Sequence, residues 1–236
     1  MYGGYYYGVD IWYLVLVIPA LLVTLYAQWK VKSTFKEFSG YRIVSGLTGA
    51  EAARQVLSAN GLNSVLIQPI SGELSDNYNP ETNTISLSSS VYSVPSIAAA
   101  GVAAHEAGHA CQYAEDYGPM RFRSAIIPVC NIGAGLSWPA ILLGYILGLS
   151  FLVFAGIILF SLSVVFQLVT LPVEFNASTR AIESLERCNL MTEDELYGAK
   201  KVLRAAALTY VAALAVSIAN LLRLILIFGG SNRRRR

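Results

Sequence analysis

The chain has 236 residues, of which 55% are hydrophobic and 14% are charged, and its formal net charge is +2. Soluble domains carry about a quarter charged residues. This composition, with a mean hydropathy of +0.51, therefore favours a membrane protein with a modest part outside the bilayer. The polar segments contain no Lys/Arg-rich face, which argues against a nucleic-acid partner.

The N-terminal part of the chain predicts one transmembrane helix. Residues 11–29 contain no charge and are long enough to cross a bilayer core of about 30 Å. The preceding segment, MYGGYYYGVD, has no basic stretch, so a cleaved signal peptide is not expected. Lys30, Lys32 and Lys36 directly follow the apolar run.

The polar segment 30–125 predicts a small α+β domain. The pattern T-x-x-E at 48–51 is a capping box that begins a helix along EAARQVLSA. SVLIQPI predicts a short strand, and SGELSDNYNPETNTISLSSSVY predicts two more strands joined by a turn at the Asn-Pro pair. A helix over about 96–115 follows, begins with a serine cap and is rich in alanine, the best helix former.

The apolar segment 128–171 predicts a transmembrane hairpin. Its length fits two spans rather than one, and glycines cluster near Gly144 to Ser150, where the chain is expected to turn. Two helices joined so tightly run antiparallel, so both ends of the hairpin lie on the same side of the membrane.

The C-terminal part returns to the domain of 30–125 and then to the membrane. Residues 172–204 are polar, and their first helix is expected to begin at Pro172, a residue suited to a first turn. A fourth apolar run, 205–228, contains Asn220 and Arg223 and predicts a further transmembrane helix. A basic tail, 229–236, ends in four arginines.

The only two histidines of the sequence lie in AAHEAGHACQ, where His105, Glu106 and His109 form the pattern H-E-x-x-H. Residues four apart share a helix face, so the two imidazoles can each offer a nitrogen to one zinc ion. Glu106 then lies beside the ion, where it can accept a proton from water. The alternative is a helix that carries the pattern by chance. Burying two imidazoles and a carboxylate among small apolar residues would be costly without an ion, which favours the zinc site.

A catalytic zinc ion usually has three protein ligands and one open position. The sequence has no third histidine, and its three cysteines have no CxxC spacing or other supporting context, so a carboxylate is expected. Glu174 is favoured, because the predicted hairpin returns the chain to the side of the motif just before this residue. The simpler interpretation of Glu174 is a carboxylate in the first turn of a helix. Other carboxylates are less well placed: Asp10, Glu73, Asp76, Glu81, Glu183 and Glu186.

Several segments resemble the bacterial integral-membrane neutral zinc metallopeptidases of the YugP type. They include SGELSDNYNP, ISLSSSVY, SIAAAGVAAHEAGHACQY, LPVEFNASTRA and GAKKVLRAAALTYVAA, and the resemblance covers most of 45–223. It implies a mainly α, multi-pass membrane protein with a small α+β zincin-like metallopeptidase domain, in which a transmembrane hairpin joins the HExxH helix to the glutamate helix. It also implies His105, His109 and Glu174 as Zn²⁺ ligands and Glu106 as general base.

The arrangement is also similar to HtpX-like and CAAX-prenyl-protease-like gluzincins, whose second motif reads roughly E-x-x-x-D. Here Ser178 occupies the position of that aspartate. The aspartate normally orients a zinc-binding histidine. Ser178, Asn176 or a carboxylate elsewhere is therefore expected to take over this role.

These features predict a zinc-dependent membrane endopeptidase that cleaves protein or peptide substrates. Glu106 is expected to take a proton from the attacking water and pass it to the leaving amine. Arg180 and Tyr210 are candidates for stabilising the oxyanion, and the substrate is expected to add as a strand beside SLSSS. Two alternatives remain: a zinc-binding membrane scaffold or adaptor that cleaves nothing, and a structural or transport membrane protein with a fortuitous motif.

The distribution of basic residues predicts which side of the cell membrane carries the site. By the positive-inside rule, the site faces the cytoplasm and the N-terminus lies outside. The four terminal arginines argue the other way if the fourth apolar run spans the bilayer. The basic residues that flank the predicted membrane ends on the side of the motif are Lys30, Lys32, Lys36, Arg121, Arg123, Lys200, Lys201 and Arg204.

Overall fold

The protein is mainly helical, with a small three-stranded sheet near the middle of the chain. Its structure is a computed structural model that describes residues 10–229, so the predicted Tyr/Gly-rich start and most of the basic tail lie outside the described residues. The elements are a π-helical turn Tyr13–Val17, α1 Ile18–Ser39, α2 Gly49–Ala59, β1 Leu66–Ile70, β2 Asn77–Asn79, β3 Thr84–Ser88, α3 Ser89–Tyr92, α4 Ile97–Ala114, α5 Gly118–Ile146, α6 Ser150–Arg187 and α7 Glu193–Gly229.

Four helical segments within residues 10–229 are long and apolar enough to cross a membrane. The prediction of a mainly α, multi-pass membrane protein with a small α+β portion is confirmed. The candidate spans are Tyr13–Ser39, Gly118–Ile146, Ser150–Arg187 and Glu193–Gly229.

Both predicted T-x-x-E patterns form reciprocal caps. At the start of α2, the Thr48 hydroxyl accepts from the Glu51 backbone N–H at 3.3 Å, and the Glu51 carboxylate accepts from the Thr48 N–H at 2.8 Å. Thr192 and Glu195 repeat this exchange at the start of α7, with distances of 2.7 and 3.4 Å. Each exchange pairs two backbone groups that the first turn of a helix leaves without partners.

The sheet has the strand order β1-β3-β2, with β1 parallel and β2 antiparallel to β3. The expectation that a substrate could add beside SLSSS is largely wrong, because β3 is the central strand: β1 pairs with Thr84–Ser88, β2 pairs with Thr84–Ser86, and the Ser88 N–H donates to Asp76. All five residues of β3 are buried, including Thr84 and Ser86. The strand is therefore covered on both faces, although three of its five residues are polar.

The glutamate helix does not begin at Pro172, as the sequence suggested. Helix α6 runs without a break from Ser150 to Arg187 and contains this proline. Helices of the membrane type tolerate proline where neighbouring groups satisfy the freed carbonyl. Glu174 consequently lies in the interior of a helix, and the dipole at a helix N-terminus does not account for its presence there.

The turn of the predicted hairpin lies where the glycines cluster. Helix α5 ends at Ile146 and α6 begins at Ser150. Between them, Gly148 has a φ of +69°, a left-handed conformation that glycine adopts without steric cost.

The chain divides into two compact units. Within the described residues, the apolar unit comprises 10–26, 126–168 and 211–229, and the sheet-containing unit comprises 27–125 and 169–210. The sheet-containing unit has a continuous hydrophobic core to which α2, β3, α4, α6 and α7 all contribute. The described part of the apolar unit contains two small buried clusters, one around Ile141 and Leu224 and one around Val17 and Ala219.

Candidate metal centre

Helix α4 holds the H-E-x-x-H residues rigidly within the sheet-containing unit. Its Ser96 cap accepts a hydrogen bond from the Ala99 N–H at 3.2 Å. His105 and His109 lie one turn apart, and their ring centroids are 4.7 Å from each other. The helix is anchored by alanines that pack into the core with 0–1% exposure: Ala98, Ala99, Ala100, Ala103, Ala104, Ala107 and Ala110.

A glycine lets α6 approach this helix closely. A Cβ atom added at Gly108 would lie 2.7 Å from the backbone oxygen of Ala177, so no larger residue fits without a shift. Glu174 and Ser178 lie three residues before and one residue after Ala177, and four-residue spacing places both on one helix face. The contact between Gly108 and Ala177 thus brings that face of α6 against the two histidines.

The structure brings together the three residues predicted as metal ligands. Glu174 Oε2 lies 3.3 Å from His105 Nε2 and 3.5 Å from His109 Nε2. The three side chains offer ligand atoms that all lie within 4.8 Å of one another. Atoms bound to a tetrahedral zinc ion at about 2.0–2.2 Å lie roughly 3.3–3.6 Å apart. The two distances from the carboxylate oxygen to the imidazole nitrogens fall in this range, and all three ligand atoms lie close enough for one ion, so the group fits Zn²⁺ in chemistry and in approximate size.

The second nitrogen of each imidazole has its own partner. The Ser178 hydroxyl lies 3.2 Å from His105 Nδ1, and Gln112 Oε1 lies 3.0 Å from His109 Nδ1. An amide oxygen can only accept, so His109 carries a proton on Nδ1, and Nε2 is the nitrogen that faces Glu174 and is left to bind an ion. Such contacts fix the tautomer and orientation that a metal-binding histidine needs.

Gln112 was not identified from the sequence, although its position gave a signal. It lies three residues after His109, hence on the same helix face, and it is fully buried. Its amide nitrogen donates to the Val173 carbonyl at 2.8 Å and to Asn176 Oδ1 at 2.9 Å, which fixes the direction of its oxygen. Ser178 contacts one histidine directly, and Asn176 supports the other through Gln112.

Glu106 lies next to the three candidate ligands and has a different environment. Its side chain is buried, and burial is the main reason why its pKa is raised above the ordinary value, against the lowering influence of His109 and His105. The pKa of His109 is also raised: burial lowers it, but the neighbouring Glu174 and Glu106 carboxylates outweigh burial. A carboxyl group with a raised pKa is suited to exchange protons near neutral pH.

A cavity of about 180 Å³ opens beside this group of residues. His105, Glu106 and Glu174 line the cavity, and Tyr210 lies in the same lining. Arg180 is not in the lining; it donates to Asn176 Oδ1 at 2.8 Å and pairs with Glu115. Of the two candidates for oxyanion stabilisation, only Tyr210 therefore faces the cavity. Small or aliphatic residues complete its wall, among them Leu74, Val102, Leu203, Ala206 and Ala207.

The other carboxylates considered from the sequence lie apart from the cluster of ligand atoms. Asp76 lines the same cavity, but its carboxylate accepts from the backbone N–H and hydroxyl of Ser88 at 2.7 and 3.0 Å. Asp10 belongs to the apolar unit, where it pairs with Arg223. The remaining four are solvent-exposed: Glu73, Glu81, Glu183 and Glu186.

The cysteines are free thiols and none of them joins the cluster. Cys111 is buried among its neighbours, and burial is the main reason why the pKa of its thiol is raised. A neutral, buried thiol agrees with the interpretation of Cys111 as a small apolar filler.

Comparison with known proteins identifies relatives over nearly the whole chain. Residues 13–229 match the family described as "Putative neutral zinc metallopeptidase". The chain is similar to the "Putative membrane protease YugP" of Bacillus subtilis (strain 168), with 47% identity over 216 residues that cover 92% of this chain and 96% of that protein. No solved structure matches the chain significantly.

Proposed function

The chain belongs to the family described as "Putative neutral zinc metallopeptidase", and from this premise we propose that it is a zinc-dependent endopeptidase of the cell membrane. The observation that carries the proposal is the convergence of ligand atoms from His105, His109 and Glu174 within 4.8 Å of one another, beside a buried Glu106. A scaffold that only held the ion would have no use for a buried carboxyl group beside the three candidate ligands.

The proposed mechanism divides the work between the ion and the chain. When bound, zinc supplies positive charge that acidifies a water molecule and polarises a carbonyl group. Glu106 takes up the proton of the attacking water and later passes it to the nitrogen of the leaving amine. The Tyr210 hydroxyl, which lies in the cavity wall, is the candidate donor to the oxygen that becomes negatively charged. Gln112 and Ser178 keep the two imidazoles in their orientations.

The cavity indicates how a substrate would be held. Leu74 and Asp76 line it and directly precede β2, which is an edge strand of the sheet. An extended peptide that pairs with β2 would place its backbone alongside the cavity. The volume of about 180 Å³ and the aliphatic lining are suited to one side chain of modest size. The substrate is accordingly a flexible protein segment rather than a folded domain.

We further propose that the site faces the cytoplasm. All eight basic residues on which this prediction rests belong to the sheet-containing unit. Single cysteines placed at exposed positions of this unit, in a cysteine-free background, would be labelled by a membrane-impermeant maleimide only after cells are opened. Labelling in intact cells would place the unit outside.

The test of the function measures bound zinc and cleavage of an unstructured reporter protein side by side in detergent. We expect the wild type to hold about one zinc ion and to cleave the reporter. Glu106→Gln should keep its zinc and lose about 10²–10⁴-fold in cleavage rate. Glu174→Ala should lose zinc. The matched control is Glu186→Ala, which removes an exposed carboxylate from the same helix and should change neither quantity.

Each of the other results would contradict a specific part of the proposal. Absence of zinc from the wild type would contradict the proposed metal centre. Normal cleavage by Glu106→Gln would contradict the role of Glu106 as the base. Zinc without cleavage in the wild type contradicts the endopeptidase and favours the scaffold or adaptor.

A further inference from the structure

The two oxygens of the Glu174 carboxylate have different partners. Oε2 points to both histidines, at 3.3 and 3.5 Å from their Nε2 atoms. Oε1 lies 3.6 Å from Nη1 of Arg123. The Glu174 side chain is 2% exposed, so water cannot replace either partner as a hydrogen-bond or charge partner of the carboxylate. One oxygen is thus directed to the metal position and the other to a cation from another helix.

Arg123 reaches this carboxylate from α5 without entering the cavity. It lies in the second turn of the helix, and its side chain is 24% exposed. It is not among the residues that line the cavity beside Glu106. Its Nε atom is buried and has no hydrogen-bond partner, a costly arrangement for a charged group. An arginine held in this way is placed to act on Glu174 rather than on a substrate in the cavity.

The number of carboxylate oxygens on the ion decides whether the site can work. With three protein ligands contributing one atom each, zinc keeps a fourth position for water or substrate. A glutamate that turned to bind through both oxygens would occupy that position. A positive charge beside Oε1 opposes this turn, because the oxygen would have to leave its ion pair.

We propose that Arg123 is a positioning residue that holds Glu174 as a one-oxygen ligand and so keeps a coordination position open. The inference rests on the proposed metal centre and deepens it. Arginine suits this role because its charge does not vary with pH and its planar guanidinium is preorganised.

The test uses the full chain in detergent with Co²⁺ in place of zinc, because the visible absorption of cobalt weakens as its coordination number rises. We expect Arg123→Met to bind Co²⁺ and to lose intensity in the visible bands, since Glu174 is free to bind through both oxygens. The zinc-loaded form should retain its metal while its cleavage rate falls by about 10–100-fold. Arg123→Lys, which keeps a positive charge, should recover most of the intensity.

A nearby arginine provides the control. Arg121 lies two residues earlier on the same helix, is 55% exposed and pairs with Asp116, so Arg121→Met makes the same change in charge away from Glu174. Its spectrum should equal that of the wild type. If Arg123→Met does not fold, Arg123→Gln keeps hydrogen-bond donors without the charge and should show the weaker bands.

The outcomes separate this inference from the function on which it rests. A wild-type spectrum in Arg123→Met or Arg123→Gln would overturn the positioning role while leaving the metal centre intact. Loss of Co²⁺ binding in a folded Arg123→Met would also overturn it, because the arginine would then be needed to build the site rather than to restrict it. A wild type that takes up neither cobalt nor zinc would instead reject the proposed function.

Discussion

The two units of the chain treat charged groups in opposite ways. In the sheet-containing unit, buried polar side chains such as Glu174 and Gln112 lie in a continuous network that includes both histidines. In the described part of the apolar unit, one ion pair, Asp10 with Arg223, is the only one formed. The difference reflects the medium around each unit. The sheet-containing unit has a core that excludes water, and the apolar unit has an apolar surface suited to contact with lipid.

The outward-facing residues support this contrast. Large apolar side chains of the apolar unit are exposed, for example Phe151 at 82%, Ile158 at 67% and Ile132 at 63%. An exposed apolar surface of this extent would aggregate in water, but it has the same polarity as a hydrocarbon core. The sheet-containing unit also has exposed apolar side chains, such as Val44 at 81% and Leu66 at 63%, but it contains one large buried cluster. The described part of the apolar unit contains only small buried clusters.

The sharpest test of this contrast is removal of the metal. The network around Glu174 lies wholly within the sheet-containing unit, so the loss of stability should be confined to that unit. With free zinc at about 1,000 times its Kd, binding stabilises the folded state by about 4 kcal/mol. Amide hydrogen exchange after chelation should therefore speed up in α4 and leave 151–165 of α6 unchanged. Equal acceleration in both segments would contradict the separation.

Two glycine substitutions should also distinguish the units. Gly108→Ala places a methyl group 2.7 Å from the Ala177 oxygen, which should cost about 1–3 kcal/mol in the free energy of unfolding and weaken zinc binding. Gly135→Ala, in the apolar unit, meets nothing within 4 Å and should be neutral or stabilising by less than about 1 kcal/mol. Thermal unfolding in detergent, combined with zinc titration, measures both effects. If Gly108→Ala changed neither stability nor zinc binding, α4 and α6 could move apart without cost.

Removing the amide of Gln112 tests whether the buried network supports the metal. Gln112→Leu preserves the approximate size of the side chain but leaves His109 Nδ1 and Asn176 Oδ1 without this partner. Zinc affinity, measured against a competing chelator, should fall by about 10–100-fold. Gln28→Leu makes the same substitution at an exposed position of α1 and should leave affinity unchanged. Equal affinities in the two variants would assign Gln112 to packing alone.

The smallest expected effect concerns the ion pair of the apolar unit. Arg223 Nη2 lies 2.6 Å from Asp10 Oδ2, and both side chains are partly exposed. Exposed pairs typically contribute up to about 1 kcal/mol. A double-mutant cycle of Asp10→Asn and Arg223→Gln, read by thermal unfolding, should give a coupling of this size. A coupling of several kcal/mol would mean that the pair is buried in lipid rather than at its boundary.

Much of the fold could be predicted from local sequence patterns. Both T-x-x-E caps form because the hydrogen bonds that define them join residues three apart. The break between α5 and α6 follows from glycines and from the length of the apolar run. Sequence patterns failed where long-range packing decides. The serines of β3 suggested an edge strand, but the neighbours of that strand bury them, and Pro172 suggested a helix start, but α6 continues through it.

The candidate site shows the same division. His105 and His109 were identified from their spacing alone, and Glu174 followed from the return of the predicted hairpin. The spacing of Gln112 from His109 was a signal, but its contacts with Val173 and Asn176, and that of Arg123 with Glu174, join residues far apart in the chain, so a single sequence carries no direct record of them. Asp76 is a further example. The sequence offered no reason to place it at the site, and it lines the cavity only because the folded sheet brings it there.

The location of both imidazoles has a practical consequence for spectroscopy. Because the chain has two histidines and both lie at the candidate metal centre, a sample labelled with ¹⁵N only in histidine reports on that centre and on nothing else. Nitrogen chemical shifts would distinguish a protonated, a neutral and a metal-bound ring for His105 and His109 separately. The arrival of an ion, a change of tautomer or the binding of a peptide could then be followed without assigning the rest of a membrane protein.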